Sequence, residues 1–515
     1  MNGAESLVRT LLNGDVSVCF ANPGTSEMHF VSALDRVEGV RCILGLFEGV
    51  VTGAADGYYR MAGKPAATLL HLGPGLGNGL ANLHNAKKAR SGIVNIVGEH
   101  ASYHIKHDAP LTADIEGVAR PMSDWVKTSP SSKTIAGDGA LAVQAARSAP
   151  GQIATLILPA DTAWGESDGP AEVTAPAPRA AVSAGDITAG ARALKNGAST
   201  AILLGNTALR GKALEWAGRI AAKTGCTLFS EFNNARCERG AGRTTVQQLS
   251  FVVDVSLNML KPFKQLVLVG AKLPVSFFAY PGKPSVLVPE GCEVIKVAGA
   301  EADLEAALEA LAGELGARDA APRVNAASYS TALPTGNITL EGLGALLNAM
   351  IPDNAIVMDE AVTSGRAFTA ATAGARPHDW LNIMGGSIGW GPAASVGAAI
   401  AAPDRKVIAL EGDGSAMYTQ QALWTMARES LDVTMVIFAN RAYKILVNEL
   451  ANVGGGTPGA NATSMLTLGN PPMDWCSIAK GYGVPAGRAS TLDELAVQFK
   501  RGLDTTGPYL VEVMM

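Results

Sequence analysis

A chain of 515 residues is too long for one hydrophobic core and suits several domains. Its net charge of −5, with 48% apolar and 17% charged residues, excludes a disordered chain and gives no sign of a nucleic-acid partner. The 58 glycines are about 11% of the chain against a usual share of about 7%, which implies many tight turns and close backbone approaches to a ligand. Six scattered cysteines form no CxxC pair, so reduced thiols in a cytoplasmic protein are expected. The N-terminal MNGAESLVRTLLNGDVSVCF has no apolar run of signal-peptide kind. Residues 383–403 carry no charge for 21 residues, but five glycines and Pro392 interrupt them, and no membrane span is expected.

In chain order, SVCFANPGT reads as a strand running into a tight turn, and EMHFVSALDRV as a helix. RCILGLFE is a second strand, closed by Glu48, and GVVTGAADGYYRMAG a helix with small residues on one face. AATLLHLGPGLG is a strand plus a Gly-rich loop; NGLANLHNAKKAR is a helix, SGIVNIVGEH a strand, and ATLILPAD closes the segment. Such alternation predicts a doubly wound, mostly parallel sheet. Residues 168–185 are rich in Pro, Ala and Gly and read as a linker. TAILLGNTA, CTLFSEF, QLVLVGAKLP and CEVIKVAG then mark a second α/β unit, and residues 317–337 a second linker. AIVMDEAVTS, WLNIMGGSIGWG, KVIALEGDGSA, VTMVIFANRAY and YLVEVMM mark a third. The fold class is therefore α/β, with three doubly wound domains at residues 1–167, 185–316 and 338–515.

The segment from Lys406 to Leu446 carries the clearest chemistry. A buried strand runs into Gly412-Asp413-Gly414 and opens a helix; twenty-five residues after Gly414, the next strand ends at Ala439, followed by Asn440-Arg441-Ala442. In a parallel sheet the carboxyl ends of two such strands lie side by side. Asp413 and Asn440 then offer two hard oxygen ligands to one small cation, and the Gly414 and Ser415 amides open a helix that attracts an anion. Mg²⁺ holding a diphosphate satisfies both.

This GDGS…N pattern resembles the thiamin-diphosphate-binding motif of the family that includes acetolactate synthase and benzoylformate decarboxylase. The family's pyrimidine-binding, central and diphosphate-binding domains would account for the whole chain. Its motif usually ends in two asparagines; here Ala439 replaces the first. The resemblance implies that Asp413, Asn440 and the Ala442 carbonyl hold the metal, with Tyr443 by the diphosphate and Thr363 touching it. Glu48 falls at the family's cofactor-activating glutamate, whose carboxylate bonds the pyrimidine N1′. Gly386-Ser387-Ile388-Gly389 matches the stretch that grips the pyrimidine, with the Gly386 carbonyl accepting from the 4′-amino group and Ile388 bending the cofactor. The resemblance also implies a homodimer or homotetramer with the active site at the dimer interface.

His71 lies 23 residues after Glu48, the spacing of the catalytic histidine in benzoylformate decarboxylases, and an imidazole suits proton exchange. Thr25 falls where those enzymes contact the substrate carboxylate. Phe278 stands where a second histidine is expected, and Leu446 where pyruvate decarboxylases carry a glutamate. The FAD-contacting pattern of acetolactate synthases is missing, so FAD is not expected. His100, His104 and His107 have helical spacing but lack the companion pattern of a zinc site. The implied activity is decarboxylation of a small 2-oxo acid of benzoylformate type, with acetolactate-synthase-like carboligation as the alternative. A reading of another class is a non-catalytic, cofactor-binding partner subunit.

Overall fold

Eighteen strands form three sheets in the computed structural model, which describes residues 1–515. The first sheet contains β1 (Val18–Asn22), β2 (Arg41–Leu44), β3 (Ala66–Leu70), β4 (Ile93–Glu99), β5 (Trp125–Thr128) and β6 (Ile153–Pro159). They run parallel in the order β2-β1-β3-β4-β6-β5. β4 and β6 are buried along their whole length, as mainly apolar strands covered on both faces are, and the polar Asn95 in β4 is satisfied by the Thr68 and Thr155 hydroxyls.

The central stretch supplies β7 (Thr200–Leu204), β8 (Thr227–Ser230), β9 (Cys237–Arg239), β10 (Gln247–Gln248), β11 (Gln265–Val269) and β12 (Glu293–Ala298). Five of these make a parallel sheet in the order β10-β8-β7-β11-β12. The last sheet uses β13 (Ala355–Glu360), β14 (His378–Asn382), β15 (Val407–Gly412), β16 (Val433–Ala439), β17 (Ala486–Ala489) and β18 (Tyr509–Met514). Its order is β17-β18-β16-β15-β13-β14-β9, with β9 antiparallel at the edge. β9 thus leaves the central unit that its sequence position suggests. Arg236 forms a two-pronged ion pair with Asp379, and the Arg239 guanidinium lies 5.0 Å from the centre of the Trp380 ring. A three-residue edge strand held by such contacts leaves no periodic signal.

Two element boundaries also differ from the sequence reading. Glu48 does not close a strand: β2 ends at Leu44, and Glu48 is the first residue of the helix Glu48–Ala62, entered through an extended Phe47. The Gly-rich LGPGLG is not a loop but the first turns of the helix Leu72–Ala89. Its glycines are selected for closeness. A Cβ at Gly75 would lie 3.3 Å from both Glu48 Oε1 and the His71 Cβ.

The first and third units share one buried core, which includes Val50, Ala54 and Leu83 together with Trp390, Ala394 and Met435. The central unit has clusters of its own. Gly49, Gly53 and Gly57 recur every four residues on one face of the helix Glu48–Ala62. A Cβ at Gly57 would lie 2.0 Å from the Ala394 carbonyl oxygen, and one at Gly397 1.8 Å from that of Ala54. Backbone therefore meets backbone between this helix and the helix Trp390–Ala401. The uncharged stretch of residues 383–403 is spent on this packing, and no helix is long and apolar enough to cross a membrane.

Candidate active site

β15 and β16 are register neighbours, Gly412 beside Phe438, so Asp413 and Asn440 leave the sheet next to each other. Asp413 is buried, and its carboxylate accepts from the amides of Arg441 (2.8 Å) and Gly414 (3.0 Å). Burial raises this carboxyl above its ordinary range against the pull of those amides. Asn440 Oδ1 accepts from the Ala442 amide at 3.0 Å. The Tyr443 ring covers Gly414 so closely that a Cβ there would lie 2.6 Å from Tyr443 Cε1. Ser415 is buried in the short helix Asp413–Ala416. A buried carboxylate and an amide oxygen beside a glycine-lined cradle are a donor set that fits Mg²⁺ and a diphosphate.

The second cluster gathers where β1, β2 and β3 end. Glu48 is buried, and Asn78 Nδ2 donates to its Oε2 at 3.0 Å. His71 comes within reach over Gly75 and rests on a residue the sequence reading missed: Nδ1 lies 2.8 Å from Glu27 Oε2. Glu27 is 1% exposed and also accepts from the Gly24 amide (2.7 Å) and the Ser26 hydroxyl (2.5 Å). Thr25 is exposed on the short turn Thr25–Glu27, and the hydroxyl nearest His71 is that of Ser26, 3.4 Å from Nδ1. The signal for Glu27 was present in NPGTSE, but a lone acid after a turn also reads as an ordinary helix-start residue.

The third cluster is the loop Gly385–Gly389, with Gly386 (φ +73°) and Gly389 (φ +91°) flanking a half-buried Ile388. Glu360, at the end of β13, accepts from the amides of Gly389 (2.7 Å) and Gly391 (2.5 Å). Burial pushes the Glu360 carboxyl up to about 7. Beside it, fully buried Glu411 has no partner on either oxygen, and burial together with the Glu360 charge raises it well above the usual range. From the central unit, it is Phe277 that touches this loop: its Cζ lies 2.7 Å from where a Gly386 Cβ would sit. Phe278 packs edge-on against Phe277 at 4.8 Å between ring centres and is 54% exposed. Leu446 is exposed on the helix Lys444–Asn452, which is tied to the Phe278 segment by a Tyr280–Glu449 hydrogen bond of 2.8 Å. Thr363 is half-buried in the turn after β13.

Strain marks the same places. Leu72 (φ +48°), Val362 (φ +49°) and Arg441 (φ +55°) are left-handed non-glycine residues directly after His71, before Thr363 and after Asn440. A β-branched valine in that region is costly, and such positions collect at functional sites. His100, His104 and His107 stand apart in a turn, with successive ring centres 5.5 and 5.7 Å apart.

Residues 1–118 match the N-terminal TPP binding domain of thiamine pyrophosphate enzymes, and residues 363–513 match their C-terminal TPP binding domain. The IlvX protein of Mycobacterium tuberculosis, whose name assigns it provisionally to the acetolactate synthase large subunits, is 50% identical over 100% of this chain and 99% of its own. The chain belongs to the thiamine pyrophosphate enzymes. A benzoylformate decarboxylase of Pseudomonas aeruginosa is 29% identical over 97% of this chain and 96% of its own. Among solved structures, the thiamine-diphosphate-dependent 4-hydroxybenzoylformate decarboxylase of Rhodococcus jostii superposes with a TM-score of 0.89 at 25% identity, covering 100% of this chain and 99% of that one. As a thiamine pyrophosphate enzyme the chain is a decarboxylase or a carboligase, and its relatives act on 2-oxo acids.

Proposed function

We propose that this thiamine pyrophosphate enzyme is a Mg²⁺-dependent 2-oxo acid decarboxylase of benzoylformate type, cytoplasmic and working as a homodimer or homotetramer. The observation that carries the reading is the His71–Glu27 pair beside Glu48. With Glu27 ionised, Nδ1 of His71 keeps the proton and donates it, which leaves Nε2 as the ring nitrogen that exchanges protons with a reacting group. The Gly75 backbone passes between this imidazole and the Glu48 carboxylate.

Thiamin diphosphate supplies an electron sink for the carbon from which a 2-oxo acid loses CO₂. Asp413, Asn440 and the Ala442 carbonyl would hold Mg²⁺, while Gly412, the Gly414 and Ser415 amides, Tyr443 and Thr363 would line the diphosphate. Glu48 would hold the pyrimidine ring nitrogen, and the Gly386 carbonyl and Ile388 would fix that ring's tilt. Thr25, joined by neighbouring Ser26, would bind the substrate carboxylate, with Phe278 and Leu446 bordering its side chain. A second reading, capture of the decarboxylated carbon by another carbonyl, is supported by one observation: the central unit offers the aromatic pair Phe277 and Phe278 to the Gly386 loop, and Phe278 is the position at which the resemblance would put a second histidine.

The test is CO₂ release and product identity over a panel from pyruvate through branched 2-oxo acids to benzoylformate, with thiamin diphosphate and Mg²⁺ added. CO₂ with an aldehyde supports decarboxylation; CO₂ with a 2-hydroxyketone supports carboligation. Glu48→Gln should abolish turnover yet still bind cofactor. Cofactor binding with no turnover of any 2-oxo acid would overturn both readings.

A further inference from the structure

Residues 444–466 hold two short helices, Lys444–Asn452 and Ala460–Leu466, neither of which has a fully buried residue. No side chain among them joins a hydrophobic core. The segment is clasped at its base, where the Tyr443 amide donates to the Leu466 carbonyl (2.9 Å) and the Leu468 amide to the Arg441 carbonyl (2.7 Å). It is therefore a flap whose hinge adjoins Asn440, Ala442 and Tyr443. A single side-chain hydrogen bond ties it to the rest of the chain: the Tyr280 hydroxyl donates to Glu449 Oε2 at 2.8 Å.

Tyr280 itself is well anchored. It packs half-buried on a core of the central unit, and Lys283, paired with Asp254 at 2.8 Å, lies 6.0 Å from its ring centre. Two residues earlier stands Phe278, the last ring of a ladder Phe232, Phe251, Phe277 and Phe278 with successive centres 5.3, 5.4 and 4.8 Å apart. Burial and the Glu449 charge raise the phenol to about 12, so it keeps the proton it donates. On the flap, Leu446 lies three residues before Glu449 and shares its face of the helix.

We propose that Tyr280 and Glu449 are a positioning pair that latches the flap to the central unit and so sets how wide a substrate side chain fits between Phe278 and Leu446. The inference rests on the reading above, in which these two residues border that side chain. The latch, the Gly386 loop that Phe277 touches and the metal ligands belong to one half of the dimer-interface site, and no residue of the Glu48 half enters the argument. A leucine on a flap without a core has no fixed place of its own. With the bond made, it is held towards a wall of stacked rings. Without it, the flap turns about its clasp and the space widens, while Asp413 and Asn440 lie before the clasp and keep their places.

Two measurements on the enzyme with thiamin diphosphate and Mg²⁺ test this, for the wild type, Tyr280→Phe, Glu449→Ala and Glu449→Gln, the last of which keeps an acceptor oxygen. Amide hydrogen exchange by mass spectrometry reads the flap without substrate. Its peptides should exchange about fivefold faster or more in Tyr280→Phe and Glu449→Ala, and within about twofold of the wild type in Glu449→Gln. The second measurement is kcat/KM for pyruvate, a branched 2-oxo acid and benzoylformate. The ratio of the bulkiest to the smallest substrate turned over should rise about threefold or more in the first two variants and return in Glu449→Gln. Unchanged flap exchange refutes the latch, and faster exchange with an unchanged ratio refutes its part in specificity. A wild type that turns over no 2-oxo acid overturns the decarboxylase reading and the specificity role with it, whatever the flap exchange shows.

Discussion

Arg60 is the point where all three units meet, and its removal has a calculable cost. Its Nε and Nη2 bond Asp56 at 2.9 and 2.6 Å, and the two side chains are 2% and 0% exposed. Nη1 donates to the Asn382 carbonyl at 2.8 Å, and the guanidinium lies 4.5 Å from the Trp390 ring centre. Asp56 also accepts from Trp390 Nε1 (2.7 Å) and Ser91 Oγ (2.5 Å). Replacing Arg60 by methionine keeps most of the volume but strands the Asp56 charge with two neutral donors. Breaking a buried pair from one side costs about 3–5 kcal/mol, because an uncompensated charge remains.

Asp56→Asn in the same background removes that charge, so the double variant should recover about 2–3 kcal/mol relative to the sum of the single losses. Urea unfolding followed by tryptophan fluorescence and far-ultraviolet circular dichroism measures all four corners of the cycle. Because Asn382 ends β14 three residues before Gly385, thiamin diphosphate affinity should fall in Arg60→Met as well. A loss below about 1 kcal/mol, or strict additivity in the double variant, refutes the reasoning.

Gly414→Ala drives a Cβ into the Tyr443 ring and should weaken thiamin diphosphate by about tenfold or more in calorimetry, with the fold intact by circular dichroism. Glu27→Gln removes the acceptor that fixes the His71 tautomer; turnover should fall by about a hundredfold with cofactor affinity within about twofold, and unchanged turnover would remove His71 from proton transfer. Glu360 holds its proton to about 7 when folded against an ordinary 4.5, so the folded state binds more protons between those values. Its contribution is complete below pH 4.5 and lost as pH rises to 7, by about 3 kcal/mol; Glu360→Gln should flatten that fall in urea midpoints measured from pH 5 to 7.5. Phe278→His should raise the share of aldehyde over 2-hydroxyketone among the products, measured by chromatography, and an unchanged ratio would free Phe278 of any role in product choice.

The alternation of apolar strands and helices made the α/β class readable, since strands covered on both faces are mostly apolar. GDGS and Asn440 were readable because strand ends in a parallel sheet converge, and β15 and β16 are direct neighbours. Glu27 and the Tyr280–Glu449 pair were not. A carboxylate under a histidine and a phenol against a helix are set by contacts across 44 and 169 residues, and nothing in local spacing encodes them. The Gly-rich stretch after His71 misled for a related reason. Glycine lowers helix propensity, yet at Gly75 and Gly79 tight packing against Glu48, His71 and Thr52 outweighs the entropy it costs. The shared core of the first and third units lay equally out of reach, although the four-residue glycine repeat at 49, 53 and 57 was its one visible trace.

That shared core bears on how product choice is set. The pieces assigned to the cofactor come from the first and third units, which are joined through the Arg60 pair and the glycine-lined helix crossing. The central unit has separate cores and approaches the site through the segment of Phe277, Phe278 and Tyr280 and through Asn233, whose Nδ2 donates to the Ile383 carbonyl at 2.6 Å. In the proposed reading, cofactor handling and side-chain recognition fall to parts with different packing constraints. Substitutions at Phe278, exposed and bonded to nothing in the shared core, can alter what meets the reacting carbon without disturbing Glu48, Asp413 or Asn440. In the proposed reading, a proton delivered by His71 and a second carbonyl would compete for the same carbon, and exposed Phe278 against Phe277 would offer an apolar face in place of a second proton donor.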